Sequence, residues 1–178
     1  MCWLRALAVL WIAVPLSAQN PGYGIGHAPT AGEIKAWDIA ISPDGKELPP
    51  GDGTAEEGAK VYAASCAGCH GKTGREGPND VLVGGQGTLN TNKPVKTIGS
   101  YWPYATTVWD YINRAMPYNK PGSLSANEVY AVTAYLLSLN GIIASDAVIN
   151  AKTLPQVKMP NRNGFIGDPR PDWKSPRP

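Results

Sequence analysis

Cys66-Ala67-Gly68-Cys69-His70 is the stretch on which the reading of this chain turns. Its two cysteines sit about one helical turn apart, so both thiols can add to the two vinyl groups along one side of a porphyrin. His70, adjacent to the second thioether, then lies beneath the iron. The chain holds 3 cysteines and 2 histidines in 178 residues, and at those frequencies about 0.0006 such motifs arise by accident. One covalently bound haem c is therefore the expected cofactor.

Two other chemistries use this spacing. A zinc site needs a second ligand pair, yet the only other histidine is His27, and no other cysteine remains once Cys2 is removed with an export signal over 1–18. A redox C-x-x-C belongs in a strand–turn–helix setting, whereas here a capped helix leads into the motif and no βαβ pattern surrounds it.

Working outward, Thr54 and Glu57 form a T-x-x-E capping box, which predicts a helix from Thr54 to about Cys66. Residues 71–100, rich in Gly, Asn, Thr and Lys, read as a long loop of the kind that serves a function. Within it, a carbonyl at Gly77-Pro78 can accept a hydrogen bond from the His70 ring N–H and fix its orientation. Gly84-Gly85-Gln86-Gly87 lacks the strand-to-helix context of a phosphate loop. Val108, Ile112 and Ala115 share one helical face, giving a helix over 105–115 that Pro117 stops. Ser125 and Glu128 form another capping box, followed by the apolar stripe Val129, Val132, Leu136 and Leu139, and Asn140-Gly141 ends that helix.

Met116 leaves the 105–115 helix just before Pro117, on a constrained loop able to face the iron from the side opposite His70. A soft thioether there stabilises ferrous iron and raises the reduction potential, as a carrier requires. Met159, in the proline-rich end, reads as a packing residue, and His27 as a surface residue of a Gly-rich arm. Tyr101-Trp102-Pro103-Tyr104, Trp109 and Tyr111 either shield the haem edge and bind its propionates or simply pack.

Toward the ends the signals change. Arg5, the apolar run Ala6 to Leu16 and the small pair Ser17-Ala18 read as an export signal over 1–18, shorter than a bilayer span, which implies a periplasmic location and no membrane span after cleavage. Residues 19–53 form an arm of turns around one short helix at Ala31 to Ile39. Residues 54–141 form the haem domain. Residues 142–178 form a proline-rich tail without an apolar period, unable to build a core of its own. A formal charge of +2 provides no field for nucleic acid or an anionic membrane.

Thr54 to Gly141 resembles class I cytochrome c, with C-x-x-C-H on the first helix, a proline after it, and Met-Pro before an amphipathic last helix. The implied fold is all-α, with three to five helices around one covalent haem and irregular arms at both ends. More narrowly, 100–118, Leu124 to Gly141, Gly24-Ile-Gly-His-Ala-Pro, Ala36-Trp-Asp-Ile and Met159-Pro-Asn look like the cytochrome subunit of Sox-type sulfur dehydrogenase and sulfite dehydrogenase. That resemblance implies a molybdenum-cofactor subunit as electron donor and a further cytochrome or oxidase as acceptor. Some members carry two haem domains, but this sequence has one C-x-x-C-H, so it should pass one electron at a time.

The chain would then do no bond chemistry itself, and its arms would hold the partner, so removing 151–178 should weaken the complex and spare the haem spectrum. Two alternatives stay open. One is a freely diffusing cytochrome that serves terminal oxidases. The other is a haem enzyme with an open sixth site, which Met116 ligation would close.

Overall fold

The computed structural model describes residues 25–170, so the export signal expected at 1–18 lies outside the described residues, as does the tail beyond 170. In chain order the elements are α1 (Ala31–Trp37), β1 (Asp52–Thr54), α2 (Ala55–Ser65), α3 (Ala67–His70), α4 (Ala105–Ala115), α5 (Ala126–Leu139) and β2 (Val148–Asn150). Three helices begin at capping boxes. Thr30 with Glu33, Thr54 with Glu57 and Ser125 with Glu128 each exchange side-chain and backbone hydrogen bonds, satisfying N–H groups that the first helical turn leaves open.

The chain folds around α5. The expected single stripe understates it, because Val129 to Ala134, Leu136 and Leu137 are all buried. α2, β1 and α4 all pack against it. The close approach of α2 and β1 rests on two glycines. A Cβ on Gly58 would lie 1.9 Å from the Ala131 carbonyl oxygen, and one on Gly53 would lie 2.3 Å from the Ala131 nitrogen. Absence of side chains at 53 and 58 thus sets the depth at which the helix leading to the haem motif meets the core.

The architecture is mostly helical, with one departure from all-α. Residues 148–150 return to pair antiparallel with 52–54, Gly53 opposite Ile149, in a two-stranded sheet. The segment after 141 also differs from a loose tail. Ile149, Leu154 and Met159 are buried in the same cluster as Trp109, Tyr130 and Leu137. It carries no helical period because it contributes isolated side chains from an extended path and one 3-10 turn, Leu154–Gln156. The N-terminal arm divides likewise. Ile41 and Leu48 join the core, whereas α1, two residues shorter than expected, buries none of its residues.

Candidate haem site

α2 delivers the motif. Cys66 ends that helix, its N–H bonding the Tyr62 carbonyl at 2.9 Å, and the chain turns once more through α3. The Cys69 and His70 amides both donate to the Cys66 carbonyl, at 3.1 and 3.0 Å, which puts Cys66, Cys69 and His70 on a single turn as the spacing requires. Gly71 then leaves with φ +80°, a conformation suited to glycine. Tyr62, 1% exposed, donates its hydroxyl to the Gly71 carbonyl at 2.8 Å, fixing the chain just beyond His70.

His70 Nδ1 lies 2.8 Å from the Asp80 carbonyl oxygen. A carbonyl has no proton to give, so this bond requires Nδ1–H and leaves the Nε2 lone pair free for a metal. Gly77-Pro78 was the expected source of that carbonyl, and the structure moves it to Asp80. The reason is steric. Gly77 lies so close behind the motif that a Cβ would come 2.2 Å from the Cys69 carbonyl oxygen. The Asn79 amide then ties back to that carbonyl at 3.0 Å, and the next residue faces the imidazole.

Met116 caps α4, with its N–H on the Ile112 carbonyl at 3.0 Å and its side chain half-buried. Cys66, Ala67, Leu82, Trp102, Met116 and Tyr135 are partly covered apolar residues packed against one core cluster. The motif and Met116, 46 positions after His70 in sequence, thus both pack against the one core of the domain. Met159 is 3% exposed and belongs to the core, and His27 is exposed beside Glu33, 3.3 Å away.

The Cys66 thiol does not suit redox exchange. Burial pushes the Cys66 thiol up to about 11, opposite to the lowered value a reactive cysteine needs. Among the described residues no group of three or more His, Cys, Asp or Glu is placed to hold a metal ion. The donors do suit haem: two thiols on one turn, an imidazole with Nε2 free, and a half-buried thioether at the end of α4. A fourth observation agrees. Trp109 Nε1 is, among the described residues, the one buried side-chain nitrogen or oxygen without a hydrogen-bond partner. Trp109 precedes Met116 by two helical turns, about 10 Å along the axis, so this orphan donor lies on the helix that carries the candidate ligand.

Residues 53–136 match the family described as cytochrome C oxidase, cbb3-type, subunit III. The crystal structure of the sulfane dehydrogenase SoxCD from Paracoccus pantotrophus aligns at 45% identity over 83% of this chain and 73% of that one, with a TM-score of 0.75. The chain belongs to the c-type cytochromes. Within them it resembles the cytochrome subunit of Sox-type sulfur dehydrogenase. No curated protein sequence matches it. Family membership brings covalently bound haem c and a role in electron transfer. Among the described residues no helix is long and apolar enough to cross a membrane.

Sequence reasoning missed three contributors to the cytochrome's site: Tyr62, Asp80 and Asn140. Asn140 Oδ1 accepts the Gly84 N–H at 2.9 Å while its Nδ2 donates to the Leu82 carbonyl at 3.2 Å, so the end of α5 pins the loop that follows the haem motif. Each acts through a backbone atom of the loop, and a backbone atom leaves no signature in residue identity.

Proposed function

We propose that this cytochrome is an exported, periplasmic, mono-haem class I protein that accepts single electrons from a molybdenum-dependent sulfur or sulfite dehydrogenase and passes them to a further cytochrome or oxidase. Cys66 and Cys69 carry the haem, and His70 and Met116 hold its iron. Bound there, haem supplies an iron centre that cycles between ferric and ferrous states. The observation that carries the electron-transfer reading is the His70–Asp80 bond, which holds the imidazole in the tautomer that ligates, while Met116 packs half-buried against the core at the end of α4.

The chain's residues account for the rest of the task. The partly buried apolar residues packed on the core, Ala67 among them, would favour the less charged ferrous site. The Trp109 N–H is a donor suited to a buried carboxylate, which a haem propionate would supply. The molybdenum partner is supported by the 45% identity to sulfane dehydrogenase, and export by the apolar segment over 1–18.

The decisive experiment mixes the oxidised holo-cytochrome with the molybdenum subunit and a sulfite or sulfane substrate, following the optical bands of reduced haem. Rapid reduction that requires both subunit and substrate is expected. A cytochrome that stays oxidised beside an active dehydrogenase would rule out the partnership, and a high-spin ferric spectrum would point instead to an open, catalytic sixth site.

A further inference from the structure

The helix that carries Met116 is fastened by a buried carboxylate that the haem motif does not use. Asp110, 7% exposed, lies on α4 one turn before Arg114 and six residues before Met116. Its Oδ1 accepts the backbone N–H of Ile41 at 2.8 Å and the Arg114 Nε–H at 2.9 Å, and its Oδ2 accepts from Arg114 Nη2. One carboxylate thereby joins three things: the middle of α4, the last turn of α4, and the N-terminal arm 69 residues away.

The arm is built to hold there. Ile41, whose amide makes the contact, and Leu48 seven residues on are both buried, and Thr106 on the first turn of α4 donates its hydroxyl to the Pro43 carbonyl at 3.0 Å. A Cβ on Gly45 would lie 2.8 Å from Pro155, 2.9 Å from Leu48 and 3.1 Å from Thr106, so arm, helix and the returning C-terminal segment meet without spare room. The last turn of a helix has open carbonyls and is the part that frays. Here Arg114 in that turn is tied by a two-pronged ion pair to a carboxylate that is itself held by the arm.

We propose that Asp110 is a positioning residue for the iron's sixth ligand: by clamping Arg114 to the Ile41 amide it holds the end of α4 closed and keeps the Met116 sulfur in place against competing ligands. The idea rests on the reading of Met116 as that ligand. It gives residues 41–48 a function distinct from docking, since their hold on α4 sets how firmly the sulfur stays bound.

The test uses the full-length oxidised holo-protein and imidazole as the competing ligand, with the sulfur-to-iron charge-transfer band as readout. Asp110→Asn keeps an acceptor for Ile41 but loses the ion pair, and its apparent imidazole affinity should rise about five- to tenfold. Asp110→Ala loses both contacts and should rise further. Arg114→Lys, at a half-exposed position where folding is safe, should move the same way by removing the two-pronged geometry. Glu128→Gln weakens a distant helix cap and lowers overall stability, and should leave imidazole affinity unchanged, which separates positioning from general loosening. Asp110→Asn and Arg114→Lys titrating within about twofold of the parent, while Met116→Ala abolishes the band, would overturn the positioning role alone. Persistence of the band in Met116→Ala would overturn the ligand assignment and the positioning role together.

Discussion

At the scale of single residues, each assignment proposed for the site can be separated by a substitution. Met116→Ala is expected to lose the sulfur-to-iron charge-transfer band of the oxidised protein, and Met159→Ala to keep it, because Met159 is sealed in the core whereas Met116 is only partly buried. Met159→Ala should instead cost about 2–5 kcal/mol in stability, as truncation of a buried side chain does, measurable by denaturant unfolding. Tyr62 gives a subtler case. Its Phe variant leaves the Gly71 carbonyl without its donor, costing about 1–2 kcal/mol, and a potential that moves together with stability would show that the chain beyond His70 had shifted.

At the scale of elements, the crossing of α2 over α5 is the most demanding contact. Gly58→Ala drives a methyl into the Ala131 carbonyl, and backbone cannot rotate aside as a side chain can. We expect a loss of at least about 1–3 kcal/mol by denaturant unfolding and weaker haem incorporation, because α2 places Cys66 and Cys69. A Gly58→Ala protein as stable as the parent would contradict the packing described. The exposed carboxylates at turns and caps link these elements to pH. Hydrogen bonds from Thr73 hold Glu76 down to about 2, and those from Ser125 and Thr54 lower Glu128 and Glu57. Folded values lie below the unfolded one near 4.5, so these groups contribute stability above that value and lose it as pH falls through the folded range. Acid titration followed by circular dichroism should show loss between about pH 4.5 and 2, with Glu76→Gln showing a shallower dependence.

At the scale of the whole molecule, the C-terminal segment changes how docking has to be tested. Removing 151–178 takes out Leu154 and Met159, both core residues, so it would weaken the domain along with any complex. Removing residues from 165 onward spares them and takes Phe165 and Ile166, which are exposed. The shorter deletion loses the edge-on contact of Phe165 with Tyr101, so it should lower the thermal midpoint slightly, leave the haem spectrum unchanged and lower affinity for the dehydrogenase subunit, as measured by calorimetry. Unchanged affinity would remove the tail from the interface.

What the sequence determined by itself was local. Capping boxes at Thr54 and Ser125, the helix over 105–115 stopped by Pro117, and the C-x-x-C-H turn are legible because each depends on residues within a turn or two of one another. Tertiary structure alone decided the contacts between distant segments: Asp80 as the carbonyl on His70, Asn140 on the loop, Asp110 joining Ile41 to Arg114, and a tail whose Leu154 and Met159 complete the core. Those contacts run through backbone atoms or through isolated side chains on extended chain. Neither kind produces a periodicity or a spacing, so only the folded arrangement shows which groups meet.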